Sequence, residues 1–170
     1  MPKIFRLKKK GKLNRSIFEG STINTPSMLC VEDYLDALEW ADGIGLPGLI
    51  ERSKSNLRVV EEWVNRTDWI DFLTDSEDIR SHTSVCLIIT AEAFTAMPKE
   101  EQSTFIKDIA GTLSRENIAH DTGSYKEAPP GFRFWCGPTV EAEDLRRALE
   151  GLETIYLKKT KYLQLGGSND

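Results

Sequence analysis

The longest uninterrupted apolar run in the chain is Val85-Cys86-Leu87-Ile88-Ile89. A bilayer-spanning helix needs about 20 apolar residues, so this run excludes a helical membrane span. Its β-branched content and its setting in Thr83–Thr90 predict a strand. Trp69-Ile70-Asp71-Phe72-Leu73 predicts another, joined to the first by the acidic turn Thr74–Asp78. A chain of 170 residues with 39% hydrophobic and 29% charged side chains is long enough, and mixed enough, for one ordinary domain with its own core.

Helical periodicity surrounds these strands. Thr25 followed by Pro26 predicts an N-cap with proline at the first helical position. Met28, Val31, Leu35 and Leu38 then recur at helical spacing until Gly43 and Gly45 end the run. Pro47 begins a second helix with Ile50, Leu57, Val60 and Val64 on one stripe. A third follows Pro98, with Phe105, Ile106, Ile109, Ala110 and Leu113 inward. A short strand is expected near Ile118–Asp121. Pro129-Pro130-Gly131 turns the chain into a strand over Phe132–Gly137. The last helix begins at Thr139, with acids in its first turn and Lys158, Lys159 and Lys161 near its end, as the helix dipole favours. The expected fold is α+β, a small, largely antiparallel sheet covered by helices.

Charge and thiols narrow the function classes. Residues 1–15 hold seven basic side chains and no acid, on a chain of net charge −5. Such an arm can touch nucleic acid, but no aromatic or base-reading pattern accompanies it, so a solvated segment is the expectation. Cys30, Cys86 and Cys136 are few, odd in number and far apart, which suits reduced thiols and a cytoplasmic protein. His82 and His120 lack companions at metal-ligand spacing, so no metal site is expected. Lys8-Lys9-Lys10 is followed by Gly-Lys-Leu-Asn-Arg, not by the apolar core of a signal peptide.

Three constellations could carry chemistry. Asn24-Thr25-Pro26-Ser27 offers amide and hydroxyl donors at a helix start, where an anion is favoured; it is equally an ordinary cap. Arg133 lies in Phe132-Arg133-Phe134-Trp135-Cys136-Gly137. Alternation puts Arg133, Trp135 and Gly137 on the face opposite Phe132, Phe134 and Cys136. A guanidinium beside an aromatic suits bidentate capture of a carboxylate, or equally a surface ion pair. Tyr125-Lys126, just upstream, could hold a second anion or be a solvated loop. No Ser/His/Asp or Cys/His set and no glycine-rich phosphate loop is present.

Longer stretches resemble phosphoserine aminotransferase of one bacterial branch. They are Pro2–Leu7, Gly11-Lys12-Leu13, Ile17–Gly20, Thr22–Tyr34, Arg80–Leu87 and Ala128–Gly137. The resemblance covers almost the whole chain up to the last helix. It implies the carboxy-terminal small domain of a fold-type-I, pyridoxal-phosphate-dependent transaminase of serine biosynthesis. Such enzymes move an amino group between glutamate and 3-phosphohydroxypyruvate, giving O-phosphoserine. By resemblance, Asn24 and Thr25 hold the cofactor phosphate of a neighbouring subunit in a homodimer, and Arg133 holds the substrate α-carboxylate. Tyr125 and Lys126 take the place of a basic loop that helps hold the substrate phosphate, where relatives tend to have arginine. The resemblance divides the chain into a basic segment and cofactor-phosphate turn (1–25), the small domain (26–165) and a frayed tail (166–170). No lysine here matches the Schiff-base motif, which the family carries in an amino-terminal domain. The chain alone is therefore expected to supply no catalytic residue and not to turn over. A non-catalytic anion-, amino-acid- or protein-binding module is the alternative.

Overall fold

The computed structural model describes residues 7–21, 25 and 27–166. Residues 167–170, most of the expected tail, lie outside them, as do residues 1–6, 22–24 and 26. The chain divides into two compact units, residues 1–46 and residues 47–170.

The first unit begins with a hairpin of β1 (Lys8–Lys9) and β2 (Lys12–Leu13). Its turn residues Lys10 and Gly11 have φ of 50° and 79°, the left-handed pair that a two-residue hairpin needs. A 3-10 turn over Arg15–Phe18 follows, and then helix α1 (Met28–Ile44). The N-cap of α1 is Ser27, whose hydroxyl accepts from Cys30 N at 3.5 Å. The cap expected at Thr25 therefore falls two residues later. Gly45, at φ 75°, closes the helix by donating from its N–H to the Ala41 carbonyl. The apolar spacing of α1 predicts a covered stripe, yet Met28, Leu35 and Leu38 are 64%, 52% and 45% exposed and no residue of α1 is buried.

The second unit holds the core. Its elements are α2 (Leu46–Asn65, whose first residue closes the first unit), β3 (Ile70–Phe72), β4 (Ser84–Ile89), α3 (Glu92–Thr95), α4 (Lys99–Arg115), β5 (Phe132–Trp135) and α5 (Ala142–Gly166). The sheet runs β3-β4-β5 and is antiparallel throughout, with Ile70 opposite Ile89 and Cys86 opposite Arg133. Strand alternation buries Ile70, Phe72, Val85, Leu87, Ile89, Phe132 and Phe134 on one face. Val60 of α2, Ile109 and Leu113 of α4, and Leu149 and Leu152 of α5 complete the cluster. Each such side chain contributes roughly 1.5–3 kcal/mol by leaving water. Ile50, expected on the inner stripe of α2, is instead 47% exposed because the stripe begins at Ser53.

At the end of α4, Asn117 adopts φ 53°, Ile118 N donates to the Leu113 carbonyl and Asn117 N to the Ser114 carbonyl. This is a Schellman closure, with Asn in the position that usually takes Gly. Asp121 also has φ 53°. Two left-handed residues four apart interrupt extended backbone, so the strand expected near Ile118–Asp121 is absent. In its place is a single bridge between Gly123 and Phe132.

Candidate substrate-anion site

Strand β5 carries Arg133 on the side away from the core, as alternation predicts, and the burial along the strand follows that pattern. Its backbone N–H donates to the Thr122 carbonyl at 2.9 Å, so the irregular segment 121–131 lies along the strand. Ser124 N adds a second link to the Gly131 carbonyl at 3.2 Å. Gly131 is required by close approach, because a Cβ there would sit 2.3 Å from the Leu87 carbonyl oxygen. The Pro-Pro-Gly turn therefore presses the loop onto β4 and delivers Arg133 in a fixed register.

The Arg133 side chain is only 21% exposed. Nη1 donates to the Tyr125 hydroxyl at 2.6 Å, and the guanidinium carbon lies 4.2 Å from the centre of the Tyr125 ring. Nη2 donates to Asp121 Oδ2 at 2.7 Å. Arg133 and Tyr125, singled out separately in the sequence, thus form one cluster with Asp121. Both Nε of Arg133 and Oγ1 of Thr122 are buried without a partner. Buried polar atoms normally find partners, so orphans beside a guanidinium mark a place suited to a polar ligand. Asp121, 88% exposed at its side chain, occupies one arm of the fork with a carboxylate that solvent screens and a ligand can displace. Lys126 is exposed and, with Tyr125, lines a neighbouring cavity of about 340 Å³.

The far end of β5 is held from α2. The amide Nδ2 of Asn56, which is 2% exposed, lies within 3.3, 3.1 and 2.9 Å of the carbonyls of Cys136, Gly137 and Val140. Arg52 donates from Nε to the Pro138 carbonyl at 2.7 Å and from Nη2 to Glu141 at 2.5 Å. A Cβ on Gly137 would meet the Trp135 ring at 2.4 Å, so the indole lies over a residue that must lack one. Burial in this corner pushes the Cys136 thiol up to about 12, which keeps it protonated and unreactive. Asp121, Thr122, Arg52 and Asn56 were not singled out in the sequence. The only signal was the polar Asn56 among the inward positions of α2.

Over 157 residues, 92% of its length, the chain is 50% identical to phosphoserine aminotransferase of Methanosarcina barkeri. The chain is a homologue of phosphoserine aminotransferase. The enzyme of Methanosarcina mazei is 49% identical over the same share. The chain spans about 40% of the length of these curated relatives. No family model matches it. The α+β fold with its antiparallel sheet agrees with the small domain expected of such an enzyme. No helix among the described residues is long and apolar enough to cross a membrane.

The phosphoserine aminotransferase resemblance puts a cofactor phosphate at Asn24 and Thr25. Asn24 lies outside the described residues. Thr25 is exposed, and the first turn of α1 bears no acidic residue. An accessible hydroxyl before an acid-free helix start fits a phosphate dianion.

Proposed function

We propose that the chain is the carboxy-terminal part of a pyridoxal-phosphate-dependent phosphoserine aminotransferase, in which it binds the amino-acid and keto-acid substrates. The observation that carries this reading is the Arg133 cluster. A largely buried guanidinium, stacked on Tyr125, already holds a carboxylate from the exposed Asp121. In the working enzyme the substrate α-carboxylate takes that arm, in the bidentate geometry that guanidinium favours.

Asn24 and Thr25 hold the cofactor phosphate of a neighbouring subunit in a homodimer. Tyr125 steadies Arg133, and Lys126 faces the substrate phosphate. The remaining three fifths of the relatives' length supplies the Schiff-base lysine and the ring-binding residues. Pyridoxal phosphate, when bound there, supplies the carbonyl that takes the amino group and the electron sink for the α-carbon. The chain's own residues orient the substrate rather than move its protons. The setting is cytoplasmic.

Mixing the chain with the amino-terminal remainder of a phosphoserine aminotransferase tests the reading. Transfer between glutamate and 3-phosphohydroxypyruvate should appear in the mixture and be lost with Arg133→Ala. A soluble, folded and inactive mixture overturns it, and leaves a non-catalytic amino-acid-binding module.

A further inference from the structure

The cavity beside Tyr125 has a wall that the resemblance does not assign. It lies between helix α4 and the loop 123–130, and Ser103, Lys107, Ser124, Tyr125 and Lys126 line it together with the buried Ile106. At about 340 Å³ it lies in the size range of small-molecule sites. Its charge is one-sided. No carboxylate lines it, although the chain carries 27 acidic residues against 22 basic ones.

Neither Lys107 nor Lys126 has a hydrogen-bond or ion-pair partner among the described residues. The acid next in sequence to Lys107 is engaged elsewhere: Asp108 pairs with Lys159 and lies 3.9 Å from Arg115. The Ser124 hydroxyl, on the cavity wall, makes no hydrogen bond among the described residues and is open to a ligand. Two unpaired ammonium groups from two separate elements, with a hydroxyl and a phenol between an apolar floor and solvent, make a site for a compact dianion. A single lysine grips phosphate only as a point charge. A second from α4 supplies what the loop lacks.

We propose that Lys107 of α4 is a second cation on the substrate phosphate that Lys126 faces, and a specificity-determining residue for phosphorylated over plain amino acids. This rests on the aminotransferase reading for the identity of the substrate, but its test does not need turnover. The chain is titrated calorimetrically with O-phospho-L-serine, inorganic phosphate and L-serine. Lys107→Gln should weaken O-phosphoserine and phosphate by about tenfold, the loss of one charge-assisted contact, and leave L-serine unchanged. Arg133→Gln should weaken O-phosphoserine and L-serine and spare inorganic phosphate. Both substitutions are distinguished from diffuse charge effects by Lys54→Gln, a lysine of α2 that does not line the cavity.

Wild-type affinity for phosphate and O-phosphoserine in Lys107→Gln overturns the proposal. So does an equal loss in Lys54→Gln, or no saturable binding of either phosphorylated probe by the wild-type chain. A reconstituted mixture that stays inactive while Lys107→Gln selectively loses phosphate would sink the enzyme reading and leave this site standing.

Discussion

At the scale of single residues, Arg133 owes its usefulness to what surrounds it. A guanidinium in open water gains little from a carboxylate; one that is 21% exposed and stacked on a ring meets its ligand already partly desolvated and oriented. Arg133→Lys keeps the charge but removes the planar fork and the stacking. In a reconstituted enzyme it should cost about 1.5–3 kcal/mol in kcat/KM, the range of a charged hydrogen bond. Unchanged kinetics would show that the fork is not used. Asp121→Asn removes the competing carboxylate. Because that acid is exposed, the gain in substrate affinity should stay within about 1 kcal/mol, seen as a lower KM at unchanged kcat. The sequence made one half of this cluster legible. Strand alternation places Arg133 outward, because a period of two leaves no choice of face. It gave no warning of Asp121, since an irregular segment that ends on a second left-handed residue, Asp121 itself, has no period to read.

Among elements, α1 and α2 separate what periodicity can and cannot tell. Both have apolar residues at helical spacing, and both are helices. Only α2 buries them, together with Asn56 and Ser53. Spacing reports which face of a helix is apolar; it is silent on what covers that face. Leu35→Ser in α1 should therefore move the unfolding free energy by no more than about 0.5 kcal/mol, as surface changes usually do. Leu152→Ala in α5, where the side chain is fully buried, should cost about 2–5 kcal/mol. Urea denaturation of the two variants decides the matter, and a large loss in Leu35→Ser would mean that α1 is covered in solution. Asn56 is the hinge between element and site. Its amide serves three carbonyls in the turn between β5 and α5, and Asn56→Leu would remove that donor from all three, leaving the Gly137 carbonyl only its bond from Val140 N. A loss of about 1–3 kcal/mol in stability is expected, with greater hydrogen exchange confined to residues 136–140.

For the whole molecule, two buried acids of the second unit tie the fold to pH. Burial raises the Cys136 thiol from an ordinary 9.0 to about 12. Burial, and then the nearby charge of Asp68, raises the Tyr156 phenol above its ordinary 10.0. Tyr156 is stacked on Trp69 at 3.6 Å between ring centres, with Trp63 edge-on at 5.9 Å to the same indole, so its ionisation would put a charge into the aromatic centre of the core. For an acid whose folded pKa is raised, the folded state binds more protons than the unfolded one above the unfolded pKa. Stability is then fully present below about pH 9 and falls as pH rises toward about 12. The unfolding free energy should accordingly be flat with respect to these groups at neutral pH and decline steeply through the alkaline range. Cys136→Ala removes the thiol's share of that slope and Tyr156→Phe the phenol's, whatever each does to stability at pH 7. Reactivity follows the same order: iodoacetamide should label the exposed Cys30 readily and spare Cys136 until the protein unfolds. An alkaline slope unaltered in both variants, or rapid labelling of Cys136 in the folded protein, would mean that this corner of the core opens to water far more often than its burial implies.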